Sequence, residues 1–264
     1  MSKPLIWYLR RHPLLYKIRY QLVSKTVASE NIQNFCYNDI NKKNQIPPLF
    51  FEINKLIFDT TTKKLNDFEK AKTIAIWLRN NIKGGPGLGN SSAMALQKMI
   101  AGQGGVCSDF SQIYNNFCVI NELKVREWGM KNLSSDKSIS GGHSYNEVYC
   151  HELQKWVMID VAKSIIFYAS NPEIPLSSLE YIRLKKENKT INIKNINENA
   201  ALDIDNVKKI YLSSISLPFL ISNYDNKTID NYLEKLDFLP VSIIHGILML
   251  TGQGYTFGFP EETK

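Results

Sequence analysis

The chain lacks an apolar run long enough to cross a bilayer, which takes about 20 residues. The apolar segment from Ile243 to Thr251 is too short and carries His245. No secretory leader is evident at the start, because Arg10, Arg11 and His12 interrupt the apolar residues early. These absences predict a cytoplasmic protein. Cysteine is scarce. Cys36, Cys107, Cys118 and Cys150 are too few and too scattered for a disulfide framework. No Cys-x-x-Cys occurs, and Cys150-His151 has no further ligands at metal spacing, so no zinc site is expected. The cluster Lys83-Gly84-Gly85-Pro86-Gly87 has no Gly-Lys-Ser/Thr after it and no apolar strand before it. It therefore reads as a loop between helices and not as a phosphate cradle. No internal repeat is visible. Neither a cofactor nor a metal is implied.

What is present is an ordinary globular composition. The 264 residues are 44% apolar, with 32 basic and 25 acidic side chains and a net charge of +7. The lysines are scattered through Asn- and Ile-rich stretches, whereas a nucleic-acid partner would call for a basic face or stripe. The one basic concentration is Arg10, Arg11, Lys17, Arg19 and Lys25, set among Trp7, Tyr8, Tyr16 and Tyr20. It reads as an amphipathic helical extension with a solvated basic face. The alternative is a weak membrane-surface contact through residues 1–25, with acidic lipid as the partner.

Three regions follow from the pattern. Residues 1–45 read as a helical, basic N-terminal extension that ends at a polar run and Pro47-Pro48. Residues 46–184 read as a core, and 185–264 as an irregular C-terminal extension without an assigned role. Within the core, Phe68, Ala71, Ile74, Ala75 and Leu78 recur at helical spacing, and Asp67 is a candidate cap. Ser91 to Ala101 reads as a second helix, and a third starts near Cys107 after Gly102-Gln103-Gly104-Gly105. Lys124 to Met130 reads as a strand and Ser134 to Gly142 as a loop. Ser144–Tyr149 and Lys155–Val161 read as two strands of a hairpin, and Leu176–Leu184 as a returning helix. Helices first and an antiparallel sheet after make an α+β fold.

Three residues in the core suggest chemistry. Cys107 lies at the first turn of a helix, where unpaired N–H groups favour a thiolate. The glycines before it allow a sharp entry and close approach of a substrate. Its own N–H could hold an oxyanion, and Gln103 is the candidate second donor, although it could equally be a solvated loop residue. His143 opens a strand after Gly141-Gly142, which exposes its ring at the end of the sheet. Asp160 closes the next strand, and in a hairpin that position lies beside His143. Singly, each residue has an ordinary explanation: a buried thiol, a solvated imidazole, a turn-forming carboxylate. Together and in order, they supply a nucleophile, a base and an orienter. Cys118 reads as core, and Trp77 and Trp156 as packing residues.

The pieces Lys70–Leu78, Gly105-Val106-Cys107-Ser108-Asp109-Phe110-Ser111, His143-Ser144-Tyr145-Asn146-Glu147-Val148 and Trp156-Val157-Met158-Ile159-Asp160 resemble the transglutaminase-like superfamily of papain-type thiol enzymes. The resemblance covers about Asp67 to Leu184. It implies a Cys107 nucleophile, a His143 base and an Asp160 orienter, on a helix packed against an antiparallel sheet. The chain departs from the family's pattern at Tyr145, where tryptophan is frequent, and at Val161, where proline is frequent. The segment Pro175–Glu180 is similar to bacterial members and not to the calcium-dependent crosslinking enzymes, and no acidic cluster suits calcium. The implied reaction is hydrolysis or acyl transfer at a peptide or glycan-linked amide through a Cys107 thioester. The rival is an inactive binding or scaffold module on the same fold. Oligomeric state is not legible.

Overall fold

The computed structural model describes residues 18, 20–59, 64–85, 89–132, 142–171, 173–197, 202–213 and 216–261. The basic stretch expected as a helix over residues 1–17, with Arg19, lies outside the described residues. So does most of the loop expected before Gly142.

Residues 18 and 20–23 are helical, as expected of the extension, and β1 (Ser24–Val27) and α1 (Ser29–Asn34) follow. The expected helical extension is thus interrupted by a strand, since Thr26 and Val27 are β-branched and suit extended backbone. α2 (Pro48–Phe58) starts on Pro48, whose missing N–H is harmless at a first helical position. α3 (Asp67–Asn81) is capped by Asn66 and not by Asp67. Asn66 Oδ1 accepts from Glu69 N at 2.8 Å, and Glu69 Oε2 accepts from Asn66 N at 3.1 Å. The Asp67 carboxylate instead accepts from the His151 amide at 3.2 Å, tying the helix to the hairpin turn. α4 (Ser92–Ile100) and α5 (Cys107–Ile120) follow.

The chain then enters the sheet with β2 (Val125–Asn132), β3 (Gly142–Cys150), β4 (Lys155–Asp160) and β5 (Ile165–Tyr168). Beyond it come α6 (Ser178–Lys186), β6 (Asn192–Asn195), α7 (Ile204–Tyr211), β7 (Ser216–Ser222), α8 (Asn226–Lys235), α9 (Val241–Leu250) and β8 (Thr256–Pro260). The C-terminal region, expected to be irregular, is therefore regular. Its elements beyond α6 are four to ten residues long, too short for a period to show in the sequence.

Among the described residues the strands form one sheet in the order β1-β8-β7-β2-β3-β4-β5-β6. Every pairing is antiparallel except β1 with β8, which is parallel. Helices cover both faces. On one face Val125, Val148, Val157, Ile159 and Ile166 pack against residues of α2–α5 such as Phe50, Ile74, Leu96 and Phe117. On the other, Trp128, Met130, Tyr145, Met158 and Phe167 pack against Tyr181, Ile182, Val207 and Tyr211 of α6 and α7. A strand buried on both faces has no polar side, which is why Trp156 to Ile159 is apolar at every position.

Glu147, on the second face, joins these layers. It pairs with Arg126 (Nε to Oε2 2.6 Å), both side chains being fully buried, and accepts from Trp128 Nε1 at 2.5 Å and from the Ser178 amide at the start of α6. Arg126 reaches on to the Ile32 carbonyl of α1 and lies 4.0 Å from the Trp156 ring. Breaking such a buried pair from one side costs about 3–5 kcal/mol, because the remaining charge is stranded.

Candidate active site

The turn before α5 is set by glycine. Gly104 has φ of +81°, and a Cβ on it would stand 3.0 Å from Gly85 Cα. Gly105 has no room either, since an added Cβ would lie 2.5 Å from Met99 Sδ and 3.0 Å from Asp109 Oδ2. Gly84 forms a β-bridge with Gly105, and Gly85 N donates to Gly105 O at 2.8 Å. Gly84 and Gly85, read as part of a plain inter-helix loop, are thus the backing of the Cys107 turn. Asp109 Oδ2 accepts from Val106 N at 2.8 Å and closes the first turn of α5. Cys107 is the first residue of that helix and is half-buried.

His143 is the second residue of β3 and is 9% exposed. The β3–β4 ladder pairs Asn146 with Ile159. One further step sets Asp160 opposite Tyr145, so His143 and Asp160 are diagonal neighbours on one face. His143 Nε2 and Asp160 Oδ2 are 2.6 Å apart. The other ring nitrogen, Nδ1, remains for the Cys107 sulfur, with which the imidazole shares a hydrogen bond. The sulfur also receives the Ser144 amide and lies 4.0 Å from the Gly142 carbonyl oxygen. Helix and hairpin meet at the end of the sheet where β3 begins, bringing Cys107, His143 and Asp160 together.

Gln103 does not join them. It is exposed, its backbone N–H donates to the Lys98 carbonyl at 3.0 Å, and no hydrogen bond joins its side chain to Cys107 among the described residues. The Cys107 N–H remains the nearest oxyanion donor by position, since a first-turn amide has no partner within its helix.

The electrostatics are those of a coupled pair. Burial alone would raise the Cys107 thiol. The imidazole's charge and hydrogen bond, with the Ser144 amide, outweigh that and hold it below the ordinary thiol value. Burial alone would lower His143, but the Asp160 carboxylate and the Cys107 sulfur push it up to about 10. Burial alone would raise Asp160, yet the imidazole, the Tyr211 hydroxyl and the Lys163 amide keep it below the usual carboxylate range. Each direction favours the thiolate–imidazolium form.

Two contributors escape sequence reasoning. Tyr211, the last residue of α7, donates its hydroxyl to Asp160 Oδ2 at 2.8 Å and sets its ring edge-on to His143, 5.8 Å between centroids. Asp160 Oδ1 accepts from Lys163 N at 2.9 Å, so the carboxylate has three donors. Nothing local in the sequence marks Tyr211. The second is Glu127 of β2, which is 2% exposed. It accepts from Gln112 and, at 3.4 Å, from Asn115, both on α5, and it bonds the Ser144 side chain. Burial, then the charge at Cys107, pushes its carboxyl well above the ordinary range and favours the neutral acid. Asn146 extends this layer, donating to Asn115 Oδ1 at 2.8 Å and to Ser111 O at 3.1 Å. The signal available was a pair of adjacent charged residues, Arg126 and Glu127, inside a strand between Val125 and Trp128. The remaining thiols, Cys36, Cys118 and Cys150, are buried, and burial raises all three. Trp77 packs on Phe117, and Trp156 lies under Arg126, as packing residues do.

Residues 54–161 match the family model described as the transglutaminase-like superfamily, a span that holds Cys107, His143 and Asp160. Over that span the chain is similar to the transglutaminase-like superfamily. A solved structure described as a putative cysteine protease from Cytophaga hutchinsonii is similar at 22% identity, with a TM-score of 0.36, over 52% of this chain and 45% of that one. This chain therefore spans under half the length of that relative. No curated protein matches the chain. The transglutaminase-like match ends at Val161, so Tyr211 lies outside it. Among the described residues no helix is long and apolar enough to cross a membrane.

Proposed function

We propose that the protein is a thiol hydrolase acting on an amide bond, with Cys107 as nucleophile, His143 as general acid and base, and Asp160 as the group that orients and charges the imidazole. The observation that carries this reading is the 2.6 Å contact of Asp160 with Nε2 of an imidazole that also bonds the Cys107 sulfur and enhances its acidity.

The reaction runs as follows. The Cys107 thiolate adds to the amide carbonyl carbon, forming the C–S bond and placing negative charge on oxygen beside the Cys107 N–H. The imidazolium gives its Nδ1 proton to the departing nitrogen as the C–N bond breaks. A thioester and a free amine result. Neutral His143 then takes a proton from water while the water oxygen attacks the thioester. The C–S bond breaks, the acid leaves, and thiolate and imidazolium are restored. Asp160 stays ionised throughout, because its three donors stabilise the charge. Transfer to an amine instead of water would need a second binding surface for that amine. Among the described residues no feature marks one, so hydrolysis is favoured. The peptide or glycan-linked character of the amide is part of this proposal.

The test is capture of the intermediate. Wild type and Cys107→Ala are incubated with mixed peptide and amidated substrates, and intact mass is read. Wild type alone should carry an acyl adduct, on Cys107. No adduct with any substrate, together with slow uniform alkylation of all four cysteines, would overturn the enzyme reading in favour of a binding module.

A further inference from the structure

A cavity of about 580 Å³ opens between the end of α6, the end of α7 and the start of β7. That volume is in the range of small-molecule sites. Ile182, Leu212 and Pro218 form an apolar side, and Lys185, Lys186 and Lys189 form a basic one. Sequence alone accounts for part of this, because lysines at the end of a helix favour the negative end of its dipole. The dipole does not explain why three of them line one hollow with an apolar wall.

The charge there is poorly balanced. Lys189 is matched by Glu187, with 2.7 Å between Nζ and Oε2, both groups being largely exposed. Lys186 has no ion-pair partner among the described residues. Lys185 spends one proton on the Ser216 carbonyl at 2.7 Å, and burial pulls its ammonium down to about 8, leaving it mostly charged at neutral pH. A second observation is independent of the lysines. Ser216 lines the cavity and is 2% exposed, yet its hydroxyl has no hydrogen-bond partner among the described residues. A buried hydroxyl left without a partner is destabilising, so its persistence calls for a reason.

We propose that this cavity binds a small molecule carrying a compact anionic group, carboxylate or phosphate, on an apolar body. The anionic group sits between Lys185 and Lys186 and gives Ser216 the acceptor it lacks. The body lies against Leu212 and Pro218. The position connects the ligand to the thiol centre. Leu212 directly follows Tyr211, whose hydroxyl rests on Asp160. Met130 pairs with His143 on one side and Pro218 on the other, so the cavity wall stands two strands, roughly 10 Å, from the imidazole's strand. The site itself does not depend on the proposed thiol chemistry.

The probes are 1-naphthoate and 1-naphthyl phosphate, with neutral 1-naphthalenemethanol as control, titrated calorimetrically into the full chain. One of the two anions should bind at a single site at least tenfold more tightly than the neutral control, and the tighter anion names the group. Lys186→Gln, at an exposed position that leaves the fold alone, should weaken binding about tenfold. Ser216→Ala should weaken it severalfold while leaving the melting temperature unchanged or higher, because no hydrogen bond is lost in the free protein. Cys107→Ala should bind like wild type. Equal binding of the neutral control overturns the proposal. So does unchanged affinity in both Lys186→Gln and Ser216→Ala, loss of binding in Cys107→Ala, or no saturable binding by wild type at millimolar probe.

Discussion

Tyr211→Phe removes one oxygen from the molecule and tests whether the region beyond the transglutaminase-like match takes part in the chemistry. The ring that remains keeps its neighbours: Phe167 at 4.7 Å, Tyr145 at 5.7 Å and His143 at 5.8 Å between centroids. What disappears is the 2.8 Å hydrogen bond to Asp160 Oδ2. A hydrogen bond to a charged group contributes about 1.5–3 kcal/mol, and a fully buried carboxylate cannot recover it from water. The variant should lose that much stability at neutral pH, a fall in melting temperature of roughly 2–4 °C per kcal/mol for a chain of this size. The sign with pH follows from Asp160. Its pKa is depressed in the folded state, so its contribution is present above the ordinary carboxylate value and disappears as pH falls through the depressed one. Without the hydroxyl the pKa rises, and acid unfolding should begin at higher pH. If the carboxylate's charge is needed in the rate-limiting step to the same extent, turnover falls about 10- to 150-fold. The assays are thermal unfolding across pH and turnover of whichever amide forms the adduct. Wild-type stability and a wild-type acid limb in Tyr211→Phe would refute the argument, since Asp160 would then not need its third donor.

Iodoacetamide should modify Cys107 first, because Cys36, Cys118 and Cys150 are buried and their thiols raised, with a pH midpoint below that of a free thiol; simultaneous labelling of all four at the ordinary midpoint would contradict the coupled pair. Amide turnover should fall again as pH rises through about 10, where His143 loses the proton destined for the leaving amine, while alkylation stays fast. Glu127→Gln should leave the Cys107 midpoint unchanged if the buried carboxyl is already neutral, whereas Glu127→Ala should cost about 1–3 kcal/mol by stranding Gln112 and Asn115; a large shift of the midpoint in Glu127→Gln would show an ionised group. Gly105→Ala should destabilise by about 1–3 kcal/mol through its clash with Met99 and slow alkylation of Cys107, while Gly246→Ala, with open space around it in α9, should be neutral or stabilising by thermal unfolding; equal effects of the two would remove the steric argument.

Which of these parts a reader could find in the sequence follows from how far their partners lie along the chain. His143 and Asp160 are 17 residues apart in one hairpin, so strand alternation alone sets them on the same face. Cys107 is announced by the glycines that break α4 from α5. The α3 helix is legible because Ala71, Ile74, Ala75 and Leu78 are buried on one side only. β5 and β6 are four residues each and too short for a period to show. β1 pairs with β8 across nearly the whole chain, a contact that no local pattern encodes. The structural residues in the His143 box are equally hidden: Asn146 faces α5 and Glu147 faces Arg126, two buried polar tasks on opposite faces that look like one polar patch in sequence.

Tyr211 belongs to this long-range class, and the reason bears on the chemistry. Asp160 is fully buried, and Tyr211, which bonds it, packs against Tyr145, Phe167 and Tyr181; burial of this kind would by itself drive a carboxylate to its neutral form. A neutral Asp160 could not hold His143 as imidazolium, and without imidazolium the thiol would titrate as an ordinary buried one. The Tyr211 hydroxyl and the Lys163 amide therefore permit what the hairpin only arranges: they keep charge on a group that its surroundings would discharge. A core ending at residue 184 would lack Tyr211, and with it one of the three donors that keep Asp160 charged. In this protein the acidity of the thiol is thus a property of helix α7 as much as of the boxes that carry the three residues.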